Sequence, residues 1–314
     1  MPRDRAVNLP GRVSTAANSA AGRTLNMTIF EKQQAELRKL DRDLSFGPAD
    51  PAAAKTLTPE QVAFFSENGY LTPFRIFDDD RVDANRRYLD GLLAAVAAAG
   101  DGRDTYSICS YQDTCRGLYD LALTPAILDL VEDLVGPDIV CWGTHFFCKL
   151  PGDPKQVSWH QDAAYWPLTP SRTVTAWLAI DDVDRENACM QVIPRTHHLG
   201  ELALTQSEAA DKNLFDSSVV DVEQYGDPAC IELKAGEISL HSDMLLHASG
   251  ANLSKRRRGG LTLRYSPTTV RPYLEYGDYS ILCRGVDTDG NWANIPRPPG
   301  DDPCPRWWQM QGEK

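Results

Sequence analysis

The hydrophobic period of this chain changes once, at Gly136. Before that residue, apolar positions recur at helical spacing in segments that carry recognisable cap residues. After it, the apolar segments are short, rich in β-branched and aromatic residues, and bounded by Gly, Pro, Asp and Asn. Short antiparallel strands that follow a helical segment are typical of a jelly-roll barrel with helices packed outside. We therefore predict a mainly β fold with flanking helices.

The end residues of the segments predict where the helices begin and end. Thr58 is a suitable N-cap, Pro59 suits the first helical position, Gln61 completes a capping box, and Gly69 ends the helix in the left-handed conformation. The other predicted elements are helices over residues 79–99, 124–135 and 30–44 (the last exposed), strands over 139–150, 173–180, 189–193, 231–240 and 260–265, and a polar loop over 201–224 that is either a lid or disordered.

A single catalytic domain is predicted over residues 58–294. Residues 1–57 are predicted to form a partly disordered extension that ends in an Ala-Pro-rich linker, and residues 295–314 a Pro-rich surface tail. The arginine-rich start of the chain is similar to a transit peptide. We prefer the alternative that Met27 is the start of the native protein, because the preceding stretch has no amphipathic period.

The charge of the chain bears on its partners. A formal net charge of -12 predicts an acidic surface that repels phosphate backbones and anionic lipid, so neither nucleic acid nor a membrane is an expected partner. No apolar run approaches the roughly 18 residues that span a bilayer. The eight cysteines include no C-x-x-C pair, which favours reduced thiols and a cytoplasmic protein. The oligomeric state is not predicted.

His160 and Asp162 form the most informative pair of residues in the chain, within the sequence Ser-Trp-His-Gln-Asp. Alternate side chains of a β-strand share a face, so both could point into a barrel and chelate one ion. A second histidine from a later strand or its turn would complete a set that leaves one face of an octahedral metal open, as in non-haem Fe(II) oxygenases. Alone, the H-x-D pattern is weak, and a structural histidine is the alternative.

A second segment strengthens the metal-site interpretation. His247 is followed by Ser249 and, eleven positions after the histidine, by Arg258 at the start of a predicted strand. An arginine there can face back into the cavity, and its planar fork suits a carboxylate. Arg257 is the alternative if the register of the strand shifts by one. His241 lacks this context and is predicted to pack beside the site rather than to bind the metal.

These segments, with a third at residues 177–197, resemble the phytanoyl-CoA dioxygenase family. The likeness extends from about residue 59, through the helix end at residues 68–71, to about residue 265. That family has the double-stranded β-helix fold, uses Fe(II), O2 and 2-oxoglutarate, and mostly hydroxylates unactivated carbon with release of succinate and CO2. The resemblance implies that this chain is a 2-oxoglutarate-dependent dioxygenase.

The resemblance also implies roles for individual residues. By position, His160, Asp162 and His247 would be the iron ligands and the catalytic centre, and Arg258 would anchor the far carboxylate of 2-oxoglutarate. Halogenating relatives lack the carboxylate that stands here as Asp162. Its presence favours hydroxylation, or a related desaturation or cyclisation.

Four weaker matches concern the cosubstrate pocket. Ser249, Trp177 and Lys149 fall where relatives contact 2-oxoglutarate. His145 falls where relatives often have methionine, so a binding role and a barrel-lining role both remain open. Tyr106 occupies the place of an upstream lysine that several members use.

The remaining aromatic and imidazole side chains near these motifs have simpler predicted roles. Tyr165 and Trp166 follow the first motif closely and would either form the mouth for the substrate or cap the barrel. His197 and His198 lie in a Pro-Arg-Thr-His-His turn and are predicted to be exposed.

Two other classes of function fit part of the pattern. A cupin-like hydrolase or isomerase would use the same barrel with zinc or manganese and would not need Arg258. A non-catalytic protein could bind 2-oxoglutarate as a sensor, although such proteins usually lose a metal ligand first. For the substrate we favour a small metabolite, because an acidic surface disfavours a large polyanion such as a CoA ester.

Overall fold

The computed structural model describes residues 35–103, 107–206, 213–215 and 217–306. The chain divides into two compact units, residues 1–40 and residues 41–314. In the first unit only residues 35–40 are described, and residues 35–37 form a helical turn. Tyr106 and the arginine-rich start of the chain lie outside the described residues.

The helices of the second unit precede most of its strands. Thr58 caps the first helix as predicted, because its hydroxyl accepts from the Gln61 backbone at 3.2 Å while the Gln61 side chain accepts from the Thr58 backbone at 2.8 Å. Gly69 ends that helix with a φ of 82°. The helices are α1 (Pro59–Asn68), α2 (Asp79–Ala99), α3 (Arg116–Ala122) and α4 (Pro125–Val135). Only the seven-residue α3 was not predicted.

Two antiparallel sheets form the body of the second unit. The major sheet has the strand order β1-β11-β6-β13-β3-β15, with β2 also paired to β3, and the minor sheet has the order β10-β7-β12-β4. Two separate two-stranded antiparallel pairs, β5 with β14 and β8 with β9, complete the strands. The strands are β1 (Tyr70–Arg75), β2 (Ser107–Cys109), β3 (Ile139–Lys149), β4 (Val157–His160), β5 (Leu168–Thr169), β6 (Val174–Ala179), β7 (Met190–Val192), β8 (Leu204–Gln206), β9 (Ser217–Val219), β10 (Ala229–Ile231), β11 (Glu237–Ser242), β12 (His247–Ser249), β13 (Arg258–Pro267), β14 (Arg271–Pro272) and β15 (Ile281–Arg284).

The two faces of the major sheet differ in polarity. Ala176, Leu178 and Leu263 belong to the large hydrophobic core that also includes the apolar side of α4. The alternate residues of the same strands, such as Thr175 and Thr262, point the other way and are also buried. This polar inner face and the minor sheet enclose the interior of the barrel. The predicted fold class, a jelly roll of the double-stranded β-helix type, is confirmed.

Most predicted strands are confirmed to within two residues of their ends, with two differences. The segment predicted as one strand over residues 231–240 is two strands, β10 and β11, separated by a turn at Gly236, whose φ is 87°. The predicted loop over residues 201–224 contains the strands β8 and β9. Its residues Leu202 and Val219 pack against Ile193, which directly follows β7.

The predicted exposed helix over residues 30–44 is wrong beyond residue 37. Residues 30–34 lie outside the described part of the chain, and residues 41–50 have no regular structure. The backbone of Asp43 is instead bonded to the barrel, donating to Thr169 Oγ1 and accepting from the Ser171 N–H at 2.8 Å. Tertiary hydrogen bonds have replaced the helical ones that the local sequence favours.

Hydrogen bonds also tie both ends of the predicted domain to its helices. Asp133 on α4 accepts hydrogen bonds from the backbone N–H groups that lead into α1, including that of Leu57 at 2.7 Å. At the other end, Asp302 donates to the Thr114 carbonyl at 3.0 Å, so the Pro-rich tail runs along α3. The domain boundaries themselves stay a prediction.

None of the described helices is long and apolar enough to cross a membrane. The predicted cytoplasmic location stays a prediction.

Gly260 on the inner face of β13 gives a test of the packing. A Cβ at Gly260 would lie 2.0 Å from the Trp177 indole, whereas a Cβ at Gly143 on the neighbouring strand β3 would make an ordinary 3.7 Å contact. We expect Gly260→Ala to lower the free energy of unfolding by about 1–3 kcal/mol through overpacking, and Gly143→Ala to leave it nearly unchanged. Urea unfolding of the two variants would check this, and equal stabilities would contradict the close packing of Trp177.

Candidate metal centre and active site

Two histidines face each other across the minor sheet. His160 ends β4 and His247 begins β12, they are cross-strand partners, and their ring centroids are 4.1 Å apart. Nδ1 of His160 lies 2.8 Å from the Ser158 carbonyl, and Nδ1 of His247 lies 2.9 Å from the Leu245 carbonyl. Because a carbonyl can only accept, both Nδ1 atoms carry the hydrogen. Each Nε2 therefore presents a lone pair to the interior, as metal-binding histidines do.

Asp162 reaches the same place by a turn rather than along the strand. The expectation that His160 and Asp162 share one strand face is wrong, because β4 ends at His160 and Asp162 opens a 3-10 turn. Gln161, between them, fixes that turn because both its amide nitrogen and its amide oxygen are hydrogen-bonded to the backbone. Its Nε2 donates to the Gly200 and Met244 carbonyls at 2.9 and 2.8 Å, and its Oε1 accepts from a backbone N–H at 2.8 Å.

The three predicted ligands converge. One donor atom from each of His160, Asp162 and His247 lies within 4.8 Å of the others, and all three side chains are buried. Asp162 Oδ1 is 3.5 Å from His160 Nε2, and Oδ2 is 4.0 Å from His247 Nε2. Among the described residues, this is the group of histidine, cysteine and acidic side chains that could hold a metal ion.

Electrostatics keeps these groups in the form that binds a metal. Burial would raise the pKa of Asp162, but the imidazoles of His160, His241 and His247 around the carboxylate outweigh it, so this pKa lies well below its usual value. Burial lowers the pKa of His247 well below its usual value, and His160 adds to the effect. A carboxylate beside a neutral imidazole is the donor pair that a divalent metal requires.

A cationic cluster lies at the start of β13. Arg258 is buried, pairs in register with Lys149 on β3, and packs its guanidinium 4.6 Å from the centroid of the Trp177 ring. Nζ of Lys149 donates to Ser249 Oγ and to the Gly250 carbonyl. Burial, with a contribution from Arg258, lowers the pKa of Lys149 to about 6. The structure thus brings together four of the residues that were predicted to contact the cosubstrate.

Comparison with known proteins decides the family. A model of the family described as phytanoyl-CoA dioxygenase matches residues 65–260, well over half of the chain. The chain belongs to the phytanoyl-CoA dioxygenase family. The peroxisomal phytanoyl-CoA dioxygenase of Rattus norvegicus is 25% identical over 258 residues, which cover 72% of this chain and 76% of the rat protein.

Two solved structures of similar fold agree with the membership in the phytanoyl-CoA dioxygenase family. The apo form of ThoJ, a non-heme monooxygenase, is 26% identical with a TM-score of 0.66, covering 76% of this chain and 88% of that one. CytC3 with Fe(II) and alpha-ketoglutarate is 25% identical with a TM-score of 0.58, covering 81% and 99%. The family and the His-Asp-His geometry together identify an enzyme, an Fe(II)- and 2-oxoglutarate-dependent oxygenase.

Arg257, the predicted alternative to Arg258, and its neighbour Arg256 have other partners. Arg257 bonds Asp181 at 2.8 and 3.0 Å. Arg256 bonds Asp184 at 2.7 and 2.8 Å near the surface. Strand alternation puts Arg257 on the opposite side of β13 from Arg258.

His145 lies on the inner face of β3, opposite Thr262 of β13. Its Nδ1 is 3.3 Å from Arg264 Nη2, and its ring stacks on Phe147 with centroids 3.7 Å apart. Burial lowers the pKa of His145 well below its usual value, and the Arg264 charge adds to the effect. The barrel-lining position is clear from the register, and the role of His145 in binding 2-oxoglutarate stays a prediction.

The prediction that His197 is exposed is wrong. His197 is buried against Phe46, with ring centroids 4.4 Å apart, and its Nε2 lies 3.1 Å from the Ser66 carbonyl. Burial lowers the pKa of His197 to about 4. The cause is the segment around Phe46, which packs over a turn that the local sequence alone would leave in solvent. His198 is exposed as predicted.

Tyr165 and Trp166 are both buried next to the metal centre. Tyr165 stacks on Phe215 at 4.6 Å with nearly parallel rings, and Phe215 also lies 4.6 Å from the His160 ring. Trp166 packs on Arg264 instead, with its ring centroid 4.9 Å from the guanidinium carbon.

Sequence reasoning missed three residues of this site. Phe215 gave no signal, because it stands in a long polar loop. Asp243 is fully buried and bonds the Thr173 N–H at 3.2 Å, and burial raises its pKa to about 7. Arg264 could have been found, because it has the same strand parity as Arg258.

The histidine set gives a sharp test of which imidazoles bind metal. His241 Nε2 is 3.9 Å from Asp162 Oδ2 but lies outside the set. We expect His247→Ala to weaken Fe(II) or Mn(II) binding at least ~100-fold and His241→Ala to weaken it only about tenfold, as loss of an outer neighbour does. Anaerobic titration calorimetry would measure both, with the exposed His198→Ala as control. An equal loss in the two variants would make His241 a ligand.

Proposed function

We propose that the protein hydroxylates an unactivated carbon of a small metabolite and converts 2-oxoglutarate to succinate and CO2. The observation that carries the proposal is a buried two-histidine, one-carboxylate set inside a barrel whose inner face also holds the buried guanidinium of Arg258. The same barrel thus carries a metal-binding set and a buried guanidinium suited to a carboxylate, which is the combination that this reaction needs.

The donor set fits iron. His160, Asp162 and His247 would hold Fe(II), since two neutral imidazoles and one carboxylate leave a face of the metal open for other ligands. Bound iron supplies the activation of O2, with 2-oxoglutarate as the co-reductant. The protein orients both imidazoles before the metal arrives, through the bonds from Nδ1 to backbone carbonyls.

The cationic cluster fits the cosubstrate. Arg258 would hold the far carboxylate through two parallel N–H donors, as guanidinium groups commonly do. Ser249 and Lys149 lie at the same end of the barrel and would donate to the same anion. Trp177 packs on the Arg258 guanidinium and limits the orientations that the fork can adopt.

The remaining side chains would exclude water and position the substrate. Phe215 and Tyr165 cover His160 with stacked rings, which keeps bulk water from one side of the metal centre. No side chain needs to act as a general base in this reaction. The retained Asp162 favours hydroxylation over halogenation, because a halogenating site needs that position for a halide.

The size of the substrate is inferred from charge. The rat relative is named for an acyl-CoA ester, whose phosphates would meet a chain of net charge -12. Such a surface repels a polyanion, which favours a small metabolite for this protein. A cupin-like hydrolase or a non-catalytic binder remains as an alternative outcome of the experiment below.

The proposal predicts a spectroscopic result. Under anaerobic conditions, Fe(II) and 2-oxoglutarate added to the protein should produce the visible charge-transfer band of the chelated cosubstrate. Arg258→Met should weaken 2-oxoglutarate binding about tenfold to hundredfold, because a charge-assisted pair is lost, and should leave metal binding intact. Arg256→Gln, at an exposed arginine, is the matched control.

Three results would count against parts of the proposal. Absence of the band in the unmodified protein would favour a cupin-like hydrolase. A band without succinate release, across candidate substrates and in O2, would favour a non-catalytic binder. Unchanged 2-oxoglutarate affinity in Arg258→Met would remove that arginine from the cosubstrate site.

Lys149 gives a prediction about pH. Its pKa of about 6 means that between pH 6 and about 10 the folded protein binds fewer protons than the unfolded chain, so stability rises with pH in that window. Lys149→Met removes this dependence. We expect the variant's stability relative to the unmodified apoprotein to fall from pH 7 to pH 9, by up to about 1.4 kcal/mol per pH unit. Urea unfolding at each pH would measure this difference in the free energy of unfolding, with the exposed Lys255→Met as control. The prediction would be contradicted if the free energies of the Lys149→Met variant and the unmodified protein changed equally with pH.

A further inference from the structure

We infer that Arg264 binds a carboxylate of the substrate, at the end of the barrel opposite the cosubstrate site. This inference rests on the proposed function, because it takes Arg258 as the anchor of 2-oxoglutarate. It adds what neither the family nor the metal set determines, which is the chemical class of the molecule that is oxidised.

The position of Arg264 separates it from the cosubstrate. Arg258 and Arg264 are six residues apart on β13 and have the same parity, so both side chains leave the strand on its inner face. Six residues of extended chain span roughly 20 Å. This separation places the backbone of Arg264 well beyond the anchor at Arg258, and the inference assigns a second anion to this end.

Arg264 lies at the level of the metal centre. In register across the major sheet, it is the partner of Thr175, and Thr175 is the partner of His241. His241 in turn has its Nε2 3.9 Å from Asp162 Oδ2. On the other side, His145 accepts from Arg264 at 3.3 Å. A group bound at Arg264 would therefore be next to the metal-binding set.

The hydrogen-bonding capacity of Arg264 is only partly used within the described residues. Its Nη2 donates to His145 at 3.3 Å, and its buried Nε has no partner there. In the same described part of the chain, no carboxylate lies within 4.0 Å of this guanidinium. By contrast, Arg257 meets Asp181 at 2.8 Å and Arg284 meets Asp129 at 2.7 Å.

Two tryptophans hold the guanidinium without using its donors. The central carbon of Arg264 is 5.4 Å from the Trp142 ring centroid and 4.9 Å from that of Trp166, both within the range of cation–π attraction. Such contacts engage the charge and leave the N–H groups in the guanidinium plane available. A planar fork with a fixed orientation and no counter-ion is suited to a carboxylate.

Neighbouring polar atoms point to the same conclusion. Four buried atoms have no hydrogen-bond partner among the described residues: Thr175 Oγ1 and His241 Nδ1 at the level of Arg264, Trp142 Nε1 on the ring that packs on Arg264, and Ser239 Oγ two residues along β11. Buried polar atoms are almost always paired in folded proteins, so a cluster of exceptions needs an occupant. A small polar molecule with one carboxylate would satisfy several of them and neutralise Arg264.

The experiment compares free acids with their primary amides. The probes are the protein amino acids and their amides, hexanoate and hexanamide, and benzoate and benzamide. Each is tested with the Fe(II)-loaded protein at saturating 2-oxoglutarate, by anaerobic titration calorimetry and by succinate release in air. We expect at least one acid to bind and to stimulate succinate release. Its primary amide should bind about tenfold more weakly or should not stimulate succinate release at all.

Variants of Arg264 complete the test. Arg264→Gln should weaken binding of that acid about tenfold to hundredfold and abolish the preference over the amide, while the charge-transfer band and the 2-oxoglutarate affinity stay unchanged. Arg264→Lys should restore part of the affinity, and the exposed Arg271→Gln should change nothing. If Arg264→Gln does not fold, the acid–amide comparison and the Arg264→Lys variant still test whether Arg264 binds the carboxylate.

The outcomes separate the two proposals. If the band forms but no acid binds, or acids and amides bind equally, or Arg264→Gln binds the acid normally, the inference about Arg264 is wrong and the oxygenase assignment stands. If the unmodified protein gives no band with Fe(II) and 2-oxoglutarate, the proposed function itself fails.

Discussion

The site depends on one pair of imidazoles fixed across the minor sheet. His160 and His247 are cross-strand partners, and each gives its Nδ1 hydrogen to a backbone carbonyl two residues earlier in the chain. Both Nε2 lone pairs therefore face the interior before any metal binds. The turn that brings in Asp162 is fixed separately by the Gln161 amide, which bonds backbone groups of two other segments. Because the fold orients all three donors, little ordering is needed on binding.

The polarity of the barrel follows from the pleat of the major sheet. One set of alternate residues packs on the helices and supplies the core, and the other set places polar side chains inside the barrel. Buried polar groups without partners are costly, and a cavity lined with them is therefore suited to bind polar ligands. The buried Lys149, with a pKa near 6, reflects the same cost in a cation. Both Arg258 and Arg264 face this interior, six residues apart on β13.

Much of the fold and the metal set could be predicted from the sequence, because those signals are local. The capping box at Thr58 depends on residues three positions apart. His160 and Asp162 are two residues apart, and short spacing limits where their side chains can go. The local backbone at Asp162 was not predicted correctly, since Asp162 reaches the metal site from a 3-10 turn and not along a strand. His197 was misjudged because Phe46, far away in the sequence, covers it.

The sequence by itself determined the caps of the helices, the alternation of the strands, the donor types of the metal set and the family. Those properties depend on a residue's own chemistry and on neighbours within a few positions. Only the tertiary structure decided which inward-facing side chains meet, such as Lys149 with Ser249, His145 with Arg264, and Phe215 with His160. These meetings depend on strand register and loop packing between distant segments, and a shift of one residue would turn each side chain to the other face.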